Sequence, residues 1–439
     1  MKNRAHLRNS PFAVTASIEA PALPPAISSP LSPQSSVPVL AVQKPLPDDP
    51  VVEPESLAPE HEAKDLSFLL DTSIYHPLSQ LDVPAAFRRP FPPQPNAETP
   101  LSNSLAQLEI VLSQCDYLAG AHLAGGILTS GSVKPTNAKT IFHLLEVRYS
   151  CLELSGNVLL AAQEAKALED LTSTFYYLQA APENDTSDET DQVFPLPKHV
   201  MPFSLRIQAV RLQSIGFSDP RRGVSALYDL GLECRENILS PFTEDKNLQI
   251  WTDRLGDIGI RVVNSLIEMG DLSCAMRTLK TMKSSPSNGP WTVRMVLLLL
   301  KMGNVAGAKS LIQGSSIPNK DKSLISCLLL IADGLYEEAS AQIADDLSSG
   351  ADVAISALLK QNLAVALLYD GELQKARQML EELVAENNSF GSLTVNLATL
   401  YDLTSDRSRD LKLAMADEIG QQQSSGHQPR AFTNTDFKL

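Results

Sequence analysis

Apolar residues recur with a helical period along most of the chain, and the last quarter of the sequence shows the pattern best. Four of them fall at every fourth position and therefore share one face of a helix: Ile355, Leu359, Leu363 and Leu367. Gly371 ends this helix, and a second amphipathic segment begins two residues later. Two helices joined by so short a connection predict an αα-hairpin.

The helical pattern extends from Leu101 to about Ile419, without the alternation that predicts β-strands. An acidic and polar stretch, residues 183–191, interrupts it and is predicted to be a surface loop. The folded part of the chain is therefore predicted to be all-α.

The beginning of the chain is rich in proline. Residues 1–100 hold 19 of the 30 prolines. Because proline lacks a backbone donor and blocks helix interiors, residues 1–64 are predicted to form a disordered arm rich in proline and serine. Residues 65–100 then comprise a short apolar segment followed by a Pro-rich linker.

The short apolar segment is an island of large side chains in this proline-rich region. Six of its residues are candidates for docking: Leu66, Phe68, Leu69, Leu70, Ile74 and Tyr75. Such an island is expected either to dock on a partner or to clamp onto the folded part of its own chain. A chance hydrophobic patch is the third interpretation, and the sequence does not separate the three.

A short pattern recurs at the turns of the helical region. It consists of a glycine, an apolar residue two positions on and an alanine five positions on, in the pairs Gly156 and Ala161, Gly270 and Ala275, Gly303 and Ala308, Gly334 and Ala339, and Gly371 and Ala376. The glycine is expected to end a helix in the left-handed conformation, and the small alanine to let two helices approach closely. The last four copies lie 33, 31 and 37 residues apart, near the tetratricopeptide (TPR) period of about 34 residues.

Looser versions of this turn lie upstream. Residues 216–226 are interpreted as a longer turn, and Asp116–Ala119 resembles a turn without its glycine. We therefore predict degenerate helical repeats over 101–250, clear TPR repeats over 251–420 and a C-terminal tail over 421–439. Such repeats are expected to stack into a right-handed α-solenoid whose concave face binds peptides or subunits, so the predicted function is recognition rather than chemistry.

The charge balance narrows the expected partners. With 36 basic and 51 acidic residues the formal net charge is −15, which argues against nucleic acid and anionic membranes as principal partners. The five cysteines form no CxxC pair, which favours a reducing compartment over a disulfide framework. No apolar stretch approaches the roughly 20 residues of a membrane helix. A cytoplasmic protein without direct membrane insertion is expected.

The sequence lacks the common catalytic motifs GxSxG, HExxH and GxxxxGK[ST]. The nearest candidate for a phosphate-binding loop, Gly120–Gly126, lacks the lysine and the hydroxyl that such a loop requires. No two histidines have the spacing of metal ligands on a helix, and His143 and His199 are expected to be core or capping residues. No catalytic, metal or cofactor site is predicted, and the chain is not expected to be an enzyme.

One class of TPR domain grips a C-terminal carboxylate of chaperones with lysine, asparagine and arginine side chains. In the frame of the turns at Gly270, Gly303 and Gly334, the five gripping positions are occupied by Ile260, Asn264, Arg294, Asp321 and Ile325. Only Asn264 matches, and isoleucine or aspartate in place of a cation would not hold a carboxylate. A chaperone-binding function is therefore disfavoured.

Four stretches resemble the family of the TPR-containing subunit twelve of the transport protein particle (TRAPP) complex. They are His199–Arg206, similar to Val-Pro-Phe-Ser-Met-Arg; Trp251–Gly256, similar to Trp-x-x-Arg-Leu-Gly; Val395–Leu403, similar to Phe-Asn-Leu-Thr-Thr-Met-Tyr-Glu-Leu; and Phe432–Leu439, similar to a Phe-Asn-Thr and Leu-Lys-Leu ending. These stretches follow the family order along residues 199–439, and the resemblance weakens upstream.

The resemblance implies a non-catalytic scaffold subunit of TRAPP III, a complex that tethers vesicles and activates Rab GTPases by nucleotide exchange. It also implies action in endoplasmic reticulum to Golgi traffic and autophagy, a peripheral place at those membranes through the complex, and other TRAPP subunits as direct partners. A generic cytosolic TPR adaptor of another assembly is the alternative, and an enzyme with a non-standard site is a third interpretation.

Overall fold

A computed structural model describes most of the chain, and nearly all of that part is helical. The described residues are 64–81, 88–178, 196–241, 243, 245–282, 289–314, 319–350, 353–388 and 390–421. They contain sixteen α-helices and, apart from one isolated antiparallel bridge between Tyr177 and His199, no β-structure. The prediction of an all-α fold is confirmed.

Two compact units divide the described helices: an N-terminal unit with residues 64–80 and 89–269, and a C-terminal unit with residues 270–421. The N-terminal unit contains α1 (Leu101–Ser113), α2 (Tyr117–Thr129), α3 (Ala138–Leu154), α4 (Val158–Glu164), α5 (Phe203–Gly216), α6 (Pro220–Leu239) and α7 (Asp245–Glu268). The C-terminal unit contains α8 (Leu272–Thr281), α9 (Gly289–Lys301), α10 (Val305–Gln313), α11 (Asn319–Asp333), α12 (Tyr336–Ser348), α13 (Val353–Tyr369), α14 (Leu373–Ala385), α15 (Gly391–Thr404) and α16 (Ser408–Gln421).

Within each unit, consecutive helices pack against each other as they do in helical hairpins. In the C-terminal unit α9 also contacts α11, and α11 also contacts α13, so that each hairpin packs on the next. In the N-terminal unit α3 contacts α5 in the same manner. This is the packing of an α-solenoid, in which each repeat buries its apolar face against its neighbours.

The turns at the five predicted glycines share one backbone geometry. Each glycine has a positive φ: 78° at Gly156, 79° at Gly270, 76° at Gly303, 80° at Gly334 and 94° at Gly371. At Gly303 the amide donates to the carbonyl oxygen of Leu300 (2.9 Å), and the next amide donates to that of Leu299 (2.9 Å). These bonds satisfy carbonyls at the helix end that would otherwise lack donors. The five alanines that follow have no exposed surface: Ala161, Ala275, Ala308, Ala339 and Ala376.

Two further turns of the N-terminal unit have the same geometry without a turn glycine. Cys115 and Ser218 are the left-handed residues, with φ of 55° and 54°. Five positions on, where the other turns have alanine, these two have Gly120 and Gly223. An added Cβ at Gly223 would lie 2.6 Å from the Cβ of Ser214. The glycine therefore sits at the close helix contact rather than at the turn.

The connection between α5 and α6 corrects one sequence prediction. Gly216 is the last residue of α5 and Pro220 the first of α6, so the long turn predicted over 216–226 is wrong. A Cβ at Gly216 would lie 2.4 Å from the carbonyl oxygen of Ala162. The close contact of α5 with α4 leaves no room for a side chain at position 216. The left-handed residue of the turn is Ser218 instead.

Some predictions fall on residues that the structure does not describe. The arm over 1–63, the acidic stretch 183–191 and the tail over 422–439 lie outside the described residues. The predicted boundary at residue 250 falls inside α7, whereas the two compact units divide between residues 269 and 270.

The shared left-handed geometry predicts that adding a glycine at one turn and removing it from another change stability in opposite directions. Ser218→Gly should raise the free energy of unfolding by about 0.5–1 kcal/mol, because a left-handed backbone strains a side-chain-bearing residue more than glycine. Gly303→Ala should lower that free energy by about 1 kcal/mol for the same reason. Urea denaturation followed by circular dichroism measures both changes, and two changes of the same sign would contradict the shared geometry.

Candidate functional site

The apolar island of the N-terminal region packs in cis on the N-terminal unit. Leu66 is fully buried and Leu69 is 1% exposed. Leu69 belongs to the turn Ser67–Leu70, which lies against α2, and Leu66 directly precedes this turn. The amide of Leu66 donates to the carbonyl oxygen of Pro135 (3.0 Å). Of the interpretations left open by the sequence, the structure therefore favours a clamp onto the chain itself.

The other candidate residues of the island are less covered. Leu70, Ile74 and Tyr75 are half-buried. Phe68 is 39% exposed and meets Phe175 edge to face, with 6.0 Å between ring centroids. The island thus has an inner face held by two leucines and an outer face that water reaches.

A buried ion pair that sequence analysis did not identify lies beneath this segment. Arg148 of α3 is 2% exposed and Glu164 of α4 is 1% exposed. The Nε and Nη2 atoms of Arg148 donate to the two oxygens of Glu164 at 2.7 and 2.6 Å, and Nη1 donates to the carbonyl oxygen of Ala121 (2.7 Å). Bidentate geometry with further hydrogen bonds is what offsets the desolvation of two buried charges.

The island is bonded directly to this ion pair. The amide of His76 donates to Oε1 of Glu164 (2.9 Å), and Nη2 of Arg148 donates to the carbonyl oxygen of His76 (3.3 Å). The guanidinium of Arg148 also lies over the Tyr75 ring, 5.1 Å from its centroid. Burial raises the pKa of Tyr75 well above its usual range, so its hydroxyl stays protonated and donates to the carbonyl oxygen of Leu69.

The glycine-rich stretch Gly120–Gly126 is part of helix α2 and not a phosphate-binding loop. A Cβ at Gly125 would lie 2.2 Å from Nη1 of Arg148. A Cβ at Gly126 would lie 3.2 Å from Cγ of Gln94, in the proline-rich segment before α1. These glycines let the guanidinium and an extended chain reach the helix backbone.

Two of the stretches that carry the family resemblance meet in the N-terminal unit. Phe203, the first residue of α5, meets Trp251 of α7 edge to face with 5.8 Å between ring centroids. The guanidinium of Arg254 lies 4.5 Å from the Phe203 centroid and 4.6 Å from that of Trp251. Because Arg254 is 5% exposed, these cation–π contacts are largely desolvated.

The histidines singled out by the sequence differ in environment. His199 is 9% exposed, and its Nδ1 accepts from the amide of Met201 while Nε2 lies 3.0 Å from the carbonyl oxygen of Leu171. It is a buried core residue bonded to the backbone, which is one of the two roles expected for it. His143 is exposed and lies inside α3 rather than at its end, so the expectation that it is a core or capping residue is wrong.

The described residues carry little of the chemistry of metal or thiol sites. Among them, no group of histidine, cysteine, aspartate and glutamate side chains is arranged to hold a metal ion. Burial raises the pKa of the Cys151, Cys234 and Cys327 thiols to about 12, which keeps them protonated and weakly nucleophilic.

Two further expectations from the sequence concern membrane-spanning helices and a carboxylate clamp. Within the ranges described above, none of the helices has both the length and the apolar character needed to cross a membrane.

Two positions of the chaperone clamp, Ile260 and Ile325, are 6% and 2% exposed. These side chains belong to the core and do not face a ligand.

The ion pair predicts a large effect of removing one partner. Arg148→Met should lower the free energy of unfolding by about 3–5 kcal/mol, because Glu164 would be left charged and buried. The matched control is Arg211→Met, since Arg211 is 48% exposed and pairs with Glu153 and Glu268 on the surface of the same unit; it should cost less than about 1 kcal/mol.

A double variant separates the charge from the packing. Arg148→Met with Glu164→Leu should be more stable than Arg148→Met alone, because no uncompensated charge is left. The amide of His76 should exchange its hydrogen faster in the double variant, since its acceptor is gone. Equal stability of Arg148→Met and Arg211→Met in urea denaturation would contradict the proposed role of the pair.

His199 predicts a pH-dependent stability. Burial, helped by the Arg206 guanidinium, lowers the pKa of His199 to about 4. Because the unfolded histidine has a pKa of about 6.5, its contribution is present above pH 6.5 and is lost as pH falls toward 4. We expect a loss of about 3 kcal/mol over this window that is absent in His199→Asn, whose amide oxygen replaces Nδ1 as acceptor. Parallel curves of unfolding free energy against pH would contradict this.

Comparison with known proteins gives two distant relatives. The chain is 24% identical over 356 residues to trafficking protein particle complex subunit 12 of Mus musculus, covering 73% of this chain and 43% of that protein. It is 23% identical over 381 residues to the subunit of the same name from Homo sapiens, covering 78% and 49%. The chain thus spans less than half the length of the curated relatives it matches. No family profile matches it.

Proposed function

We propose that this protein is a non-catalytic scaffold subunit of a trafficking protein particle complex. The observation that carries the proposal is the similarity to subunit 12 over about three quarters of the chain. A role related to that complex, with other subunits of it as partners, follows from this distant relationship. The same distant relationship supports the proposal that the protein has no enzymatic role.

The fold supplies a physical reason for a scaffold role. Stacked helical hairpins present long, continuous surfaces on rigid elements, which suits them to hold other proteins. We propose that the hairpins are TPR repeats, since four glycine turns recur near the TPR period and their glycines adopt the left-handed conformation. The five turn glycines and five buried alanines would then set the hairpin geometry rather than contact a ligand.

The finer part of the proposal concerns the cellular process. We propose membership of TRAPP III, action in endoplasmic reticulum to Golgi transport and autophagy, and an indirect effect on Rab GTPases through the subunits that perform nucleotide exchange. The protein would lie in the cytoplasm and reach Golgi membranes through the complex. No cofactor is required for such a role.

Affinity purification of the tagged full chain, followed by mass spectrometry, tests the assembly. Recovery of other trafficking protein particle subunits in stable proportion would support the proposal. Recovery of a different multisubunit assembly would favour the alternative of a generic TPR adaptor. The tagged Arg148→Met variant, which leaves Glu164 charged and buried, serves as a control for the dependence of binding on the folded N-terminal unit.

A nucleotide-release assay tests the division of labour. The purified chain alone should not accelerate release of a fluorescent guanine nucleotide from a Rab GTPase, because the scaffold is expected only to hold its neighbours. Omitting the chain from the assembled complex should slow release several-fold. Acceleration by the chain alone would overturn the non-catalytic proposal.

A further inference from the structure

A cavity of about 550 Å³ lies in the N-terminal unit between α5, α6, the segment around residue 171 and residues 196–197. We call it the α5–α6 groove, and its lining includes Tyr177, Leu196, Arg206, Asp229, Leu232 and Glu236. Its volume falls within the range of about 300–1,000 Å³ that is usual for ligand-binding sites. Neither the buried ion pair nor the packed island contributes to this lining.

The charges that line the groove are unbalanced. Four carboxylates border it, from Asp170, Asp229, Glu233 and Glu236, against the guanidiniums of Arg206 and Arg222. Arg206 is already bound by Glu233, with Nη1 to Oε1 at 2.8 Å. The Arg222 guanidinium lies over the ring of Phe217, 4.8 Å from its centroid. The groove therefore has an excess of negative charge.

Two of these carboxylates lack a cation within the described part of the chain. Asp229 and Glu236 are exposed, and neither is found in an ion pair with any described residue. They lie seven residues apart on α6, two helical turns, with Glu233 between them, so all three share one side of the helix. This row can accept two cationic side chains spaced along an incoming chain.

A buried donor borders the same groove. Arg206 is 5% exposed, and its Nε–H has no hydrogen-bond acceptor among the described residues, although both terminal nitrogens bind Glu233. An unsatisfied buried donor is unfavourable, because the group has lost its hydrogen bonds to water. A carbonyl oxygen of a bound peptide is the kind of acceptor that would satisfy it.

Exposed apolar side chains run beside the acidic row. Leu232 is 52% exposed and Leu196 is 40% exposed at the rim of the groove, and Tyr228, one turn before Leu232 on α6, is 49% exposed. Large apolar residues grouped on a surface mark interaction sites more often than single ones do. The groove thus offers apolar contact and negative charge side by side.

We propose that the α5–α6 groove binds a segment of a partner protein in which lysine or arginine residues alternate with large apolar residues. The cations would pair with Asp229 and Glu236, the apolar side chains would cover Leu196 and Leu232, and a backbone carbonyl would accept from Arg206. Charge complementarity selects this occupant over nucleic acid or an anionic membrane, both of which the acidic row repels. The proposal stands whether or not the chain belongs to a trafficking complex.

Fluorescence anisotropy with the full chain and a labelled twelve-residue peptide of alternating leucine and lysine tests the groove. Asp229→Lys with Glu236→Lys should weaken binding at least tenfold, because two attractions become repulsions. The neutral pair Asp229→Asn with Glu236→Gln should weaken it less, and Leu232→Ser should weaken it several-fold. All three changed side chains are exposed, so the fold should be kept, as circular dichroism will verify.

The matched control reverses the same number of charges elsewhere on the N-terminal unit. Glu109→Lys with Asp253→Lys changes two exposed carboxylates that do not line the groove, and it should alter the affinity by less than about twofold. A peptide with glutamate in place of lysine should not bind. Bound peptide should slow hydrogen exchange in α6.

Three results would overturn the proposal. The first is that the leucine–lysine peptide does not bind below millimolar concentration. The second is that the groove variants and the control variant weaken peptide binding equally. The third is that bound peptide slows hydrogen exchange only outside residues 196–241. The chain also carries a basic stretch of its own, with Lys2, Arg4 and Arg8. If changing these three residues to glutamine raises the peptide affinity, the occupant is this stretch rather than a partner.

Discussion

Each short helical turn of this protein must reverse the chain within two or three residues and then bring two helix backbones into contact. The reversal needs one residue in the left-handed conformation, and the contact needs one small residue five positions later. Amides at the reversal bond to the last carbonyls of the preceding helix, as at Gly303 and Asn304. Since each hairpin buries its apolar face only by packing on the next, the whole helical array depends on this local requirement.

The two demands on a turn can be met with glycine at either position. In the turns at Gly156 and Gly371 glycine makes the reversal and alanine the contact. In the turn at Ser218 a serine makes the reversal, at φ 54°, and Gly223 makes the contact. A sequence pattern that requires glycine first detects only the former kind. This explains why the sequence predicts an all-α chain and five turns yet places the turn near Gly216 incorrectly.

The apolar island illustrates what sequence can predict and where it stops. Its large side chains set it apart from the surrounding prolines, which suffices to single it out but not to choose between a clamp, a docking segment and a chance patch. Its place of binding depends on Arg148 and Glu164, which are 72 and 88 residues from His76. The only local signal is that each charge interrupts an otherwise apolar helix face, as Arg148 does beside Leu144, Leu145 and Leu152. Such a signal marks a buried charge but does not name its partner.

Carboxylates serve two different purposes in the N-terminal unit, and burial decides which. Glu164 is out of contact with water, so the chain itself must supply the guanidinium of Arg148 and the amide of His76, and the result is a rigid attachment. Asp229 and Glu236 are hydrated, so they exist without such partners at little cost. A cation of another protein can replace the water around an exposed carboxylate, and this exchange makes the free energy of binding modestly more favourable. An anion in the same place would be repelled. Selectivity would then come from the acidic row, while most of the affinity would come from covering Leu196 and Leu232.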